Sequence, residues 1–209
     1  MRTTVFIGYH KKESFCYNGI LKTIEKELLD NNKKIYIVDL YDDDFNPSHQ
    51  NKNKELVNRY QNLIIESSHI IFITPVWWFR CTSMLEGFFD QVFTPGFAYE
   101  FKSLTKTYGI PIPLLTNKKV ICYMTHGAPA LPVLTLYLNA VKLRLLLGVF
   151  SFCFNLFKVK IRQFFSVPFC SQEKRERYLL KVKKDIQKEI IDLDSRHGTS
   201  GGGFKRTTH

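Results

Sequence analysis

Cysteine is sparse in this sequence and forms no pattern. Five stand at Cys16, Cys81, Cys122, Cys153 and Cys170, an odd count with no Cys-x-x-Cys pair. That argues against a disulfide framework and a zinc site, and suits a reducing, cytoplasmic compartment. Eleven glycines and eight prolines are too few for a collagen-like or low-complexity chain. Long apolar runs are missing as well. The most apolar region, Leu131 to Phe157, is interrupted by Lys142 and Arg144, and its longest clean stretch is Leu145 to Phe157. A spanning helix needs about 20 apolar residues, so a buried or interface segment is expected there and no transmembrane segment. The opening residues, MRTTVFIGYH, hold one Arg and an apolar run too short for a signal peptide. Neither GxGxxG nor the GK[ST] of a P-loop occurs, which disfavours a Rossmann dinucleotide site and an NTPase. No Ser/His/Asp or Cys/His constellation is found, so no catalytic acid or nucleophile is assigned and no metal site is expected.

What is present is a folding composition. The chain has 209 residues, 44% hydrophobic and 14% aromatic, enough for one domain with a real core. Its formal charge is +11, from 30 Lys+Arg against 19 Asp+Glu. A surplus of that size suits anionic partners or is simply a basic surface, and charge alone does not choose. No nucleic-acid-binding module is recognised.

Strand and helix patterns alternate along the chain. Short β-rich apolar runs at Thr4 to Tyr9, Ile35 to Leu40, Ile70 to Thr74 and Val120 to Met124 read as strands, with a fifth at Phe157 to Val167. Between them, Ile20, Leu21, Ile24 and Leu28 have helical spacing, as do Leu56, Tyr60, Leu63 and Ile64. A third helix is expected from Thr82 or Ser83, with Ser83 and Glu86 as a capping box. Residues 97–115, holding Gly109, Pro111 and Pro113, read as a long loop or hairpin. Region 131–150 reads as a helix, and Ser171 to Ile191 as a final amphipathic one. The tail, 193–209, reads as disordered, leaving one domain over 1–192. This order predicts an α/β fold with a doubly wound parallel sheet and helices on both faces. Ligands in such sheets bind beyond the carboxyl ends of the strands.

That rule directs attention to three loops. The first, His10 to Asn18, offers cations, hydroxyls and free N–H groups at a helix start, an anion site by dipole or a solvated polar loop. The second, Pro75-Val76-Trp77-Trp78-Phe79-Arg80, puts three aromatics where a planar heterocycle could stack; core packing is the competing use. The third is Thr125-His126-Gly127-Ala128-Pro129, where Gly127 permits close backbone approach and His126 is either a switchable group or merely exposed.

Together these loops resemble the NAD(P)H:quinone oxidoreductases of the flavodoxin-like superfamily. The resemblance is carried by Pro75-Val76-Trp77-Trp78-Phe79 and by the run from Met84-Leu85-Glu86-Gly87-Phe88-Phe89-Asp90 through Gln91-Val92-Phe93-Thr94-Pro95-Gly96-Phe97-Ala98-Tyr99. The order of elements agrees over residues 1 to about 190. His10, Ser14, Phe15 and Cys16 fall on the family's flavin-phosphate loop, Gln61 where it carries a flavin-contacting Gln, and Thr125, His126, Gly127 and Ala128 on its Thr-Thr-Gly-Gly loop. Cys16, Arg80, Thr82, His126 and Ala128 depart from the family pattern, which has Asn, Gly, Pro, Thr and Gly there.

The resemblance implies a flavodoxin-like five-stranded sheet, order 2-1-3-4-5, in a homodimer with FMN or FAD, FMN preferred. The isoalloxazine ring is then expected against Pro75, Val76, Trp77, Trp78 and Phe79, with backbone donors from the second and third loops. The substrate pocket is expected to involve Trp78 and Phe79, covered by Tyr99 and Phe101 from the partner subunit. The implied activity is two-electron transfer from NAD(P)H through the flavin to a quinone or similar acceptor. Arg80 either favours an anionic substrate or NADPH, or points away as a surface residue. The competing reading is a soluble regulatory subunit of a potassium-efflux-type transporter on the same fold. A one-electron carrier is disfavoured, because flavodoxins are usually acidic.

Overall fold

Alternating side chains along the strands decide the architecture. The structure, a computed structural model, describes residues 2–105 and 108–192; the expected disordered tail lies outside the described residues. In chain order the strands are β1 (Arg2–Ile7), β2 (Lys34–Asp39), β3 (His69–Pro75), β4 (Tyr99–Ser103), β5 (Gly109–Pro113), β6 (Lys119–Thr125) and β7 (Val159–Phe164). Five make one parallel sheet, β2-β1-β3-β6-β7, and β4 and β5 pair antiparallel as a separate hairpin. The fold is therefore the expected flavodoxin-like α/β sheet. Its order over all strands is 2-1-3-6-7, not the stated 2-1-3-4-5, because the expectation numbered the sheet strands alone. The hairpin accounts for the two extra strands and falls within the segment read as a loop or hairpin.

Both sheet faces are buried, as a parallel sheet requires. Phe6, Ile70, Phe72, Val120 and Cys122 point to one face. Helix α2 (Lys54–Glu66), helix α3 (Ser83–Val92) and a helical segment over 140–153 cover it. Val5, Ile7, Ile71, Ile73, Ile121 and Tyr123 point to the other. There lie α1, which runs over 15–30 as Phe15–Leu21 and Lys22–Asp30, and the C-terminal helix, Gln172–Ile186 continued by Gln187–Ile191. Phe72 lies between Phe6 and Phe150, with both rings stacked on it. Burying aromatics of this size is the main stabilising contribution of that layer.

Two details depart from the pattern-based expectation. The cap of α3 is Thr82, not Ser83: its hydroxyl accepts from Leu85 N–H and donates to Gly8 O at 2.5 Å. Glu86 accepts from Cys81 N–H at 2.8 Å and pairs with Arg144. The box is thus shifted by one residue, because Thr82 is fully buried and can also tie α3 to the end of β1. Region 131–150 is not one helix. After α4 (Ala130–Leu134) the chain turns at Leu138 and Asn139, both left-handed, before helix resumes at Ala140. Its expected burial is only partial: Val133, Val141 and Leu145 are buried, whereas Leu131 is 74% and Leu138 71% exposed.

Candidate functional site

The carboxyl ends of β1, β3 and β6 open into a cleft of about 430 Å³. Its wall combines the start of α1 (Ser14, Phe15, Cys16), the segment after β3 (Pro75, Val76, Trp77) and the end of β6 with its loop (Thr125, His126, Gly127). The three loops singled out by sequence thus meet at one place. The structure adds Tyr9, Glu13, Val167, Pro168 and Arg175 to the lining. Val167 and Pro168 follow β7, and the loop after a fifth strand was the signal that could have found them. Arg175 is in the first turn of the C-terminal helix, far away in sequence, and no local pattern marks it.

One side of the cleft is built for an anion. α1 begins at Phe15, and Ser14 N–H donates to Lys11 O while Tyr17 and Asn18 N–H both donate to Ser14 O. Those three amides are spent, and among the described residues the Phe15 and Cys16 N–H groups are left without an acceptor, at the positive end of the helix dipole. Ser14 Oγ is buried, and among the described residues it has no hydrogen-bond partner beyond a weak approach of the Cys16 thiol. Arg175 donates weakly to Val167 O at 3.3 Å, while its Nε is buried and unpartnered. Two buried polar atoms left unsatisfied beside a helix start are costly unless a ligand completes them, and a phosphate does so by its charge and its acceptor oxygens.

The remaining wall, with Tyr9, Pro75, Val76 and Trp77, carries no charged side chain; the exposed Glu13 lies on the anion side, beside Ser14 and Arg175. Trp77 packs edge-on to Tyr9. Val76 N–H donates to Thr125 O at 2.8 Å, and Trp77 N–H to Arg80 O at 2.9 Å. These amides are spent within the protein, so the donors expected from the second loop are not available at Val76 and Trp77. His126 N–H is spent likewise, on Phe164 O at 2.7 Å. Beside it Gly127 is exposed, and a Cβ built on it would meet nothing within 4 Å, leaving room for close approach. Cys16 Sγ contacts Thr125 Oγ1 at 3.4 Å, joining the first loop to the third. Burial pushes the Cys16 thiol up to about 11, against the opposing hydroxyls of Thr125 and Ser14, so it is a neutral thiol at pH 7 and no nucleophile.

His126 is buried, not exposed. Its ring stacks on Phe165, and Nε2 lies 3.0 Å from Gln163 Oε1. Burial lowers it to about 4, with the Gln163 bond opposing. The imidazole is therefore neutral at pH 7. Between pH 6.5 and 4 the unfolded chain takes up a proton that the folded chain refuses, so acid removes stability, by up to about 3 kcal/mol. Urea unfolding at pH 7 and pH 4.5 is expected to show a smaller acid loss in His126→Thr than in the parent. Equal losses in the two proteins would contradict this account.

Other expected residues stand outside the lining. His10 is exposed at the rim, with rings of Tyr9, Tyr41 and Trp77 around it. Ala128 lies just past the cleft, its carbonyl accepting from Ser166 N–H. Gln61 is turned away: its amide donates to Val92 O at 2.9 Å and holds the end of α3. Trp78 and Phe79 occupy the tip of a tight turn closed by the paired Trp77 and Arg80 backbones, with φ of 49° and 58°. Both values lie in the left-handed region, where bulky residues are strained and which clusters at functional sites. The turn leaves Trp78 88% exposed, neither in the core nor in the cleft wall, and sets the Phe79 ring tilted against Tyr137, centroids 4.4 Å apart. Tyr99 and Phe101 are on the β4–β5 hairpin, in contact with each other but apart from this chain's own cleft.

Comparison with known proteins agrees with this geometry. A family model described as flavodoxin-like fold matches residues 1–190. An uncharacterized NAD(P)H oxidoreductase of Haemophilus influenzae is 30% identical over 119 residues, 53% of this chain and 56% of that protein. The match thus spans about half the length of this curated relative. A putative quinone reductase from Klebsiella pneumoniae superposes with a TM-score of 0.74 at 14% identity, over 90% of this chain and 85% of the other. An FMN-dependent NADH-azoreductase from Bacillus anthracis, solved in complex with FMN, gives 0.67 at 14% identity, over 90% and 99%. At such identities the two structures speak for the fold.

Proposed function

The chain belongs to the flavodoxin-like fold family, and we propose that it is a flavin-dependent NAD(P)H oxidoreductase that binds FMN in the cleft and reduces a quinone-like acceptor. The observation that carries the proposal is the pairing, in one cleft, of an anion seat at Ser14 and Arg175 with a largely apolar wall of Pro75, Val76 and Trp77. A phosphate-bearing planar ring needs both. The Haemophilus influenzae relative, named an NAD(P)H oxidoreductase, and the FMN held by the azoreductase neighbour support the same choice.

The residues divide the work by chemistry. Ser14, the first amides of α1 and Arg175 hold the phosphate. Pro75, Val76 and Trp77 supply the surface for the ring, and Gly127 lets the backbone approach its edge. Neutral His126 and neutral Cys16 place no charge beside it. When bound, the flavin supplies hydride acceptance and two-electron transfer, so the protein's share is positioning and exclusion of water. Trp78 and Phe79, outside the lining but next in the chain to Trp77, would meet an entering acceptor. The proposal includes a homodimer, in which Tyr99 and the exposed Phe101 of one copy cover the cleft of the other.

The purified protein is expected to show flavin absorption between about 350 and 500 nm after FMN loading, and to oxidise NADH or NADPH with menadione. No flavin uptake, or uptake without turnover with either nucleotide, would overturn the enzyme reading. Trp77→Ala should weaken FMN about fivefold, the scale of one aromatic contact. Trp78→Ala should leave FMN affinity within about twofold and lower turnover. A fluorimetric FMN titration of both variants separates the two roles, and wild-type behaviour of Trp78→Ala in both assays would return that residue to a purely structural place.

A further inference from the structure

Helix α1 and the C-terminal helix lie side by side on the same sheet face, so their solvent sides form one surface. On the C-terminal helix, Arg177, Lys181, Lys184 and Lys188 are all exposed, spaced four, three and four residues apart. That spacing puts them on a single stripe about 16 Å long. On α1, Lys22 and Lys26 are exposed with the same four-residue step.

Like charges at such spacings repel and weaken a helix, and on the C-terminal helix several carboxylates are drawn away from them. Asp185 and Glu189 turn inward to Arg162 and Lys160 on β7, and buried Glu27 is taken by Lys183. Glu173 reaches Arg177 only at 3.8 Å. On α1, Glu25 and Asp30 stand three and four residues beyond Lys22 and Lys26 and offset that pair, so the uncompensated cations are those of the C-terminal helix. The favourable effect of cations near a helix C-terminus covers the last turn only, so it explains Lys188; Arg177 has only the long contact to Glu173, and Lys181 only a 5.9 Å approach to the Tyr178 ring. Each helix also presents one exposed leucine among its cations: Leu29, three residues from Lys26, and Leu180, four residues from Lys184, both 55% exposed.

We infer that this face docks on an anionic lipid bilayer. Cations on a helix stripe meet acidic headgroups, while Leu29 and Leu180 reach the apolar boundary below them. A duplex nucleic acid would use the charges and leave both leucines in water. Docking on this face is independent of what the cleft binds. It would also bring the protein to the phase in which apolar acceptors dissolve.

The test is co-sedimentation of the full chain with vesicles of phosphatidylcholine holding about 30% phosphatidylserine, against vesicles of phosphatidylcholine alone. The wild type should bind the anionic vesicles, ignore the neutral ones, and be released at about 0.5 M salt, where screening reaches only a few ångströms. The exposed triple variant Lys181→Glu, Lys184→Glu, Lys188→Glu should bind at least about 100-fold more weakly. Circular dichroism should show it folded, and the salt series on the unaltered protein tests the idea without any variant. Wild type left in the supernatant, equal binding to neutral vesicles, binding by the variant equal to wild type, or tighter binding to a DNA duplex than to the vesicles would each overturn the inference.

Discussion

Arg175→Ala is expected to weaken FMN binding by about 30-fold or more, the cost of removing one partner of a desolvated charge pair. Its guanidinium reaches the anion seat from the C-terminal helix, and its Nε is buried with no protein acceptor. The one bond the guanidinium makes among the described residues, to Val167 O, is long, so little folding energy is tied up in it. Stability of the ligand-free variant should therefore stay within about 1 kcal/mol of the parent. Arg175→Lys should fall between the two, because an ammonium keeps the charge and loses the fork. Arg177→Ala, two residues away and exposed, is the control and should change FMN affinity less than about twofold. Equilibrium titration of the four proteins decides the matter, and FMN affinity in Arg175→Ala equal to that of Arg177→Ala would remove Arg175 from the site.

Asp185→Asn is expected to cost about 3–5 kcal/mol of stability, the range for breaking a buried ion pair by removing one member. Asp185 is 3% exposed. It accepts from Arg162 Nε at 2.8 Å and Nη2 at 2.5 Å, and from Lys160 Nζ at 2.9 Å. Neutralising it leaves two half-buried cations on edge strand β7 with one remaining carboxylate, Glu189, to share. The Glu173–Arg177 contact is the internal comparison: it is exposed and long, and Glu173→Gln should move stability by less than about 0.5 kcal/mol. Urea denaturation at pH 7 measures both. A loss below about 1 kcal/mol for Asp185→Asn would mean that water relaxes around the cations and that the pair does not pin β7.

How far the sequence reaches is visible residue by residue. The runs at 70–74 and 120–124 are legible because a strand buried on both faces needs uninterrupted apolar side chains, and few other structures do. Trp77 is legible for the same reason as Pro75: the strand end and the breaker fix where the loop begins. Trp78 is not. Its neighbour in sequence lines the cleft while it stands in solvent, because the turn takes a left-handed path that composition does not encode. Gln61 fails differently. It has the right residue type on the right helix, yet the end of α3 lies within reach and captures its amide. The α3 cap shows the smallest error: Ser83 and Thr82 are equally good caps by type, and only the burial of Thr82 against Gly8 selects between them.

By itself, the sequence determined the alternation of strand and helix, the doubly wound class and the three loops that meet at the carboxyl edge. Those follow from periodicity and breakers, which act between near neighbours in the chain. Only the tertiary structure decided what fills the cleft wall between those loops. Arg175 arrives from a helix some 160 positions beyond Ser14, and His126 becomes a neutral buried ring because Phe165 and Gln163 close over it. Burial and dielectric belong to the assembled surroundings of a group, so neither the charge of His126 nor the unsatisfied atoms of the anion seat can be read before the chain has folded around them.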